Sequence, residues 1–233
     1  MKIFGILGAM PVELTTILEA ITTQEKRQIA GFDFTVGEYA GNKVVVTRCS
    51  IGKVNAAACT QLLIDHFGVG AIINTGVAGS MNPHVHFADV VIGDRLTYHD
   101  VRPKQMVNHF PFKEHFTAST KLVALAKAAV QEVLTGDYAY HVGKIVTGEQ
   151  FVTDRQLKQS IVEAYAPLCV EMEGAAIAHV AELNGIDFVV IRSISDHADD
   201  SANVDYDTFE ALAAERSAKL VLTMLKHAAK GNS

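Results

Sequence analysis

Two glutamates bracket a methionine in Val170-Glu171-Met172-Glu173-Gly174, between an apolar run and the alanine-rich stretch Ala175 to Leu183. Carboxylates between a buried strand and a helix face the crevice in which α/β sheets bind ligands. The plainer reading is that they only stabilise a helix N-terminus, by a few tenths to about 1 kcal/mol. Glu13 poses the same choice: Pro11 suits the first position of a helix, which sets Glu13 in the first turn. There the helix dipole favours the ionised form that a general base needs, although a surface glutamate serving its own helix would look alike. Asp196 closes the apolar run that begins at Phe188. Burial there raises a carboxyl pKa and keeps the group protonated, as a general acid requires. Arg192 would push the other way if it paired with Asp196, and period-two alternation puts both on one sheet face.

A base and an acid tuned apart in this way are the working parts of a hydrolysis that cleaves a sugar from its leaving group through an oxocarbenium-like transition state. Glu173 would then hydrogen-bond sugar hydroxyls, Met10 and Met172 would supply soft apolar surface, and Phe151 could stack on a flat ring. Taken singly, methionines and phenylalanines are more often core packing. Their placement beside carboxylates is what raises them.

The elements that must hold these groups are short β-branched runs alternating with helical patterns. Strands are expected at Ile3-Leu7, Val44-Thr47, Ala71-Asn74, Asp89-Ile92, Lys144-Thr147, Leu168-Val170 and Phe188-Ile194, with helices from Pro11 and from about Lys53. The alternation predicts one α/β domain over 1–233 with a mixed, mostly parallel central sheet flanked by helices. The mixture comes from a hairpin joining Phe34-Gly37 to Val44-Thr47. A last helix is expected from near Asp207, capped with Glu210, to about His227, followed by a fraying tail from Lys230. Two segments read as irregular. One is 101–119, with Pro103, Pro111 and three phenylalanines, a cover for an apolar ligand or an oligomer contact; the other is the acidic stretch 199–206. If the sheet is parallel at the site, the residues after five strands share one mouth: Gly8 to Glu13, Thr75 to Gly79, Gly148 to Phe151, Glu171 to Glu173, and Ser193 to Asp196.

Composition narrows the partner. A net charge of −6 and a pI near 5.9 give no electrostatic basis for nucleic-acid or membrane-surface binding, which leaves a small molecule or a protein. Lys2 and the apolar residues to Met10 run into Pro11 and Glu13 without a small-residue cleavage site, so the expected compartment is the cytoplasm. Cys49, Cys59 and Cys169 are odd in number and far apart, so free buried thiols are expected. Gly5-Ile6-Leu7-Gly8-Ala9-Met10 lacks the spacing of a dinucleotide fingerprint, and neither a P-loop nor G-x-S-x-G occurs. No metal site is expected: His84-Val85-His86 reads as a solvated pair and Tyr98-His99-Asp100 as a structural corner or a catalytic group.

Six segments carry a resemblance: Gly8-Ala9-Met10 with Glu13, Ser50 to Ala56, Ile73 to Gly79, Tyr98-His99-Asp100, Val170 to Glu173, and Arg192 to Asp196. In order and over nearly the whole chain they resemble the bacterial 5'-methylthioadenosine/S-adenosylhomocysteine nucleosidase family of the nucleoside phosphorylase superfamily. The resemblance implies hydrolysis of the N-glycosidic bond of 5'-thioadenosine nucleosides, and of 5'-deoxyadenosine, by a homodimer without metal or organic cofactor. It implies Asp196 as the acid on adenine with Ser195 beside it, Glu13 as the base on water, and Glu173 with Met172 on the ribose. Arg192 would hold the water and the glutamate rather than neutralise Asp196. Met10 would lie against the sugar and Phe151 and Val152 against adenine, with Ala78 and Gly79 completing the substrate-binding set.

Departures bear on specificity. Relatives often carry a hydroxyl residue where Val77 stands, and Val101 to Met106 differs in the stretch that shapes the 5'-substituent pocket and dimer contact. The rival readings are a purine nucleoside phosphorylase, whose phosphate needs main-chain donors and arginines where Met10 and Glu13 stand, and a nucleoside-binding module without chemistry.

Overall fold

The structure, a computed structural model, describes residues 2–134, 136 and 138–230. Its first half runs β1 (Phe4–Gly8), α1 (Pro11–Ala20), β2 (Thr22–Ile29), β3 (Phe32–Tyr39), β4 (Asn42–Arg48), α2 (Lys53–Phe67) and β5 (Ala71–Ser80). Then come β6 (Val90–Tyr98), α3 (Pro103–Asn108), β7 (Phe116–Thr117), α4 (Thr120–Val133), β8 (Tyr140–Thr147) and α5 (Arg155–Tyr165). The chain ends with β9 (Cys169–Glu171), α6 (Gly174–Leu183), β10 (Asp187–Asp196) and α7 (Ala202–Lys230). The expected tail beyond Lys230 lies outside the described residues.

The strands form one mixed ten-stranded sheet. β1 lies between β4 and β5, parallel to both, and is buried on both faces, which explains its unbroken apolar run. Alternate residues sort into two cores. Leu7, Val45, Ile72 and Val190 join one, with residues of α2 and α6; Ile6, Val46, Ile73 and Val189 join the other, with α1, α4 and α7. The hairpin of β3 and β4 turns at Ala40-Gly41, both at positive φ, as a two-residue turn requires.

One expectation needs correcting. The sheet is not parallel throughout the site: β9 runs antiparallel to β5 and parallel to β8, while β10 is parallel to β5 and antiparallel to β6. Because β10 pairs both β5 and β6, and β6 pairs β8, which pairs β9, which returns to β5, five strands close into a ring. Closure brings the strand ends together where parallel alignment alone would not.

Two helices differ from the sequence reading. α7 begins at Ala202 rather than near Asp207, because Ser201 Oγ donates to Asp205 Oδ2 at 2.6 Å and the Ala202 amide to Asp199 O at 2.8 Å, extending the helix into the acidic stretch. The segment 101–119 holds α3 and β7. Among the described residues no helix is long and apolar enough to cross a membrane, and Cys49, Cys59 and Cys169 are buried and free.

Candidate active site

A cavity of about 340 Å³ lies where the ring closes, within the range of small-molecule sites. Its wall takes residues at or just past the ends of β1, β5, β8, β9 and β10: Ala9, Met10 and Glu13; Val77, Ala78 and Gly79; Gln150, Phe151 and Val152; Glu171, Met172 and Glu173; Ser195 and Asp196. Ile51, Asn203 and Tyr206 complete much of the rest. No lysine or arginine is among the described lining residues.

Glu13 stands in the first turn of α1, and its carboxylate is anchored entirely by main chain. Oε2 accepts from the Ala9 and Met10 amides at 2.6 and 2.9 Å, and Oε1 from the Val77 amide at 3.1 Å. Burial raises its pKa above the usual value even though the Arg192 charge and these amides oppose the rise. Desolvation thus works against the readily ionised form expected from the position of Glu13 in the first turn. The Val77 contact is a main-chain one, so the missing hydroxyl does not break it. A Cβ on Gly76 would collide with this carboxylate, which is why β5 carries glycine there.

Asp196 is 1 % exposed; Oδ1 accepts from the Ala198 amide at 2.8 Å and Oδ2 from Ser195 Oγ at 2.9 Å. Burial raises its pKa against those two hydrogen bonds. On the neighbouring strand, a Cβ on Gly79 would lie 2.6 Å from Asp196 Oδ1. The expected facing of Arg192 and Asp196 is broken by a β-bulge. Ile194 pairs Ala78 but Asp196 pairs Gly79, so two residues of β10 oppose one of β5 and the strand re-aims its last side chain. No hydrogen bond or ion pair joins Arg192 to Asp196 among the described residues.

Arg192 is 2 % exposed and turns to the glutamates. Its Nη2 lies 2.5 Å from Glu171 Oε2, 2.7 Å from Asn74 Oδ1 and 3.8 Å from Glu173 Oε2. Glu171, left between two roles by sequence, is the hub. It accepts from the Glu173 and Gly174 amides at 3.1 and 2.6 Å, from Arg192 and from Thr147 Oγ1. It therefore fixes the start of α6 and holds the guanidinium, leaving Glu173 free to face the cavity. Glu173 Oε1 accepts from the Gly52 amide at 2.9 Å, and the Glu173 pKa is pushed up to about 8 by burial first and by the Glu171 charge second.

Phe151 is 44 % exposed at the rim, edge-on to Tyr206 at 5.6 Å, and Val152 is buried beneath. Tyr206, whose hydroxyl approaches Met10 Sδ at 3.1 Å, escaped the sequence reading because it falls in the stretch read as irregular. Its signal was the spacing Ala202, Tyr206, Phe209, Ala213, a helical face. None of the 101–119 segment lines this cavity; it borders a second, more open cavity of about 910 Å³ with Lys53, Tyr98 and His179. Among the described residues no group of three or more His, Cys, Asp or Glu is arranged to hold a metal.

A ring-closed α/β sheet with carboxylates at the closure defines a class. The phosphorylase superfamily model matches residues 3–226, and the chain belongs to that superfamily and, within it, to the 5'-methylthioadenosine/S-adenosylhomocysteine nucleosidase family. It is 38 % identical to the nucleosidase of that name from Shewanella halifaxensis, over 97 % of this chain and 99 % of that one. The Neisseria meningitidis enzyme of the same name, in complex with methylthio-immucillin-A, superposes with a TM-score of 0.92 at 33 % identity, covering 97 % of this chain and 100 % of the other. A futalosine hydrolase from Helicobacter pylori superposes with a TM-score of 0.89 at 34 % identity, covering 97 % and 98 %.

Proposed function

We propose that the chain, as one catalytic unit over 1–233, hydrolyses the N-glycosidic bond of 5'-methylthioadenosine and S-adenosylhomocysteine, and also of 5'-deoxyadenosine, releasing adenine. The observation that carries this reading is the pair of buried carboxylates, Glu13 and Asp196, facing one cavity from separate strand ends and each held in place by main-chain donors. Asp196, whose pKa burial raises, donates its proton to a ring nitrogen of the adenine as the C1'–N bond breaks and positive charge builds on the ribose. Water adds to C1', giving its proton to Glu13. The cycle closes when Glu13 releases that proton and Asp196 regains one from solvent.

Glu173 takes the ribose hydroxyls, with Met172 and Met10 against the sugar. Arg192, bound to Glu171, lends positive charge to the glutamates and the water. Phe151, Val152, Ala78, Gly79 and Ser195 form the adenine end. No metal or organic cofactor enters this scheme. The absence of a cation from the described lining supports water over phosphate as the acceptor, since a dianion beside Glu13 would meet a carboxylate and no cationic side chain in the wall. The exposed Phe110 and Phe112 support a homodimer, and the free buried thiols a reducing, cytoplasmic setting.

Incubation with 5'-methylthioadenosine in phosphate-free buffer tests the reading. Release of adenine and free 5-methylthioribose is expected. Turnover that requires phosphate and yields the sugar 1-phosphate would overturn it in favour of a phosphorylase; binding of adenine without any turnover would mark a binding module.

A further inference from the structure

Two sequence motifs stand outside the chemistry above, Ser50 to Ala56 and Tyr98-His99-Asp100, yet the structure joins them beside the cavity. Lys53, at the start of α2, places Nζ 2.8 and 2.7 Å from the two carboxylate oxygens of Asp100, which follows β6. Asp100 Oδ2 also accepts the Glu149 amide at 2.9 Å, and Glu149 Oε2 accepts the Lys53 amide at 3.1 Å. The loop after β8 is thus gripped by side chain and main chain together. Two and three residues past Glu149 stand Phe151 and Val152, the adenine end of the cavity.

The same helix start serves the ribose end. The Gly52 amide donates to Glu173 Oε1 and the next amide, that of Lys53, to Glu149 Oε2. A Cβ on Gly52 would collide with the Glu149 carboxylate, so the two glutamates are held by adjacent amides at close quarters. On its other flank the loop packs against His99, whose ring would collide with a Cβ on Gly148.

We propose that Lys53, Asp100 and Glu149 are positioning residues that tie the adenine-side loop to the ribose carboxylate, fixing the separation at which the two halves of a nucleoside are gripped. This rests on the nucleoside reading of the cavity. None of the three lines that cavity or touches the reacting atoms; they act through Phe151, Val152 and Glu173. Releasing the loop should therefore weaken binding and leave the acid and base untouched.

The test uses the full chain with 5'-methylthioadenosine as substrate and adenine as product inhibitor. Lys53→Met and Asp100→Asn should each raise KM and the adenine inhibition constant in parallel, by about tenfold, the loss expected of one charge-assisted hydrogen bond. kcat should stay within about threefold, because the chemical step is unaltered. Lys53→Arg should restore both constants, and the double variant should cost no more than either single one. Unchanged KM and inhibition constant with only a lowered melting temperature would overturn the proposal, as would a fall in kcat alone. If Asp100→Asn fails to fold, Lys53→Met, altering a partly exposed side chain, still decides. Failure of the wild-type protein to release adenine without phosphate would strike at the nucleosidase reading instead, before any variant is compared.

Discussion

Replacing Glu171 separates a structural carboxylate from Glu173, the one proposed to bind substrate. In the wild-type protein it satisfies two main-chain amides, the Thr147 hydroxyl and the buried Arg192 guanidinium. Glu171→Ala strips all four, leaving Arg192 with Glu173 at 3.8 Å as its nearest carboxylate. Removing one partner of a buried ion pair costs about 3–5 kcal/mol, and orphaned buried donors add about 1–3 kcal/mol each. Against a total stability of about 5–15 kcal/mol, this variant should fold poorly or not at all. Glu171→Gln keeps one carbonyl acceptor of the same shape and should lose about 2–3 kcal/mol. Arg192 should then turn toward Glu173, drawing it from the cavity and raising KM. Losing the Glu171 charge also removes the second cause of the high Glu173 pKa, so the Glu173 midpoint should move down from about 8. Urea unfolding at neutral pH reads the stability, and the pH dependence of KM reads the midpoint. A glutamine variant as stable as wild type, with KM and midpoint unmoved, would refute the hub role.

Asp196→Asn should still bind nucleoside, since the amide oxygen can accept from Ala198, but should lose about 10²–10⁴ in kcat because an amide has no acidic proton to give; turnover near wild type would contradict the acid assignment. The unliganded protein should be least stable at alkaline pH. The folded-state pKa of Glu173, about 8, lies above the unfolded value of 4.5, so its contribution is fully present below 4.5 and is lost as pH rises through 8. Glu13 and Asp196, also raised by burial, act in the same direction. Urea midpoints measured from pH 5 to 9 should fall, and a rise would contradict the burial argument.

Apolar runs made most of the sheet legible in sequence. β4, β5, β8 and β10 each contain the run read for them, and β1 begins one residue later than its run, since strands with buried faces cannot hide their composition. β2 escaped because its residues, Thr-Thr-Gln-Glu-Lys-Arg-Gln-Ile, lie on an exposed edge where nothing demands alternation. α4 had a readable signal in Leu122, Ala126, Ala129 and Val130, an apolar stripe at helical spacing. At the site, residue types pointed to the carboxylates, and strand ends predicted their meeting. The bulge at Ser195-Asp196 had no local signature, because it depends on the register of a partner strand more than a hundred residues away. The Glu171–Arg192 pairing was hidden because the two residues stand on separate strands, β9 and β10, which are brought together through β5.

Ring closure by β10 also has a consequence for synthesis. Glu13 leaves the ribosome well before Asp196 and the strand that seals β5 to β6. A nascent chain that has emerged only as far as about residue 180 therefore has Glu13, Glu171, Glu173 and most of its sheet but neither Asp196 nor the guanidinium that Glu171 must hold. On the proposed mechanism such a chain cannot cut a nucleoside, and it exposes the edges of β5 and β6 that β10 covers. Activity and protection from aggregation should arrive together, with the same strand.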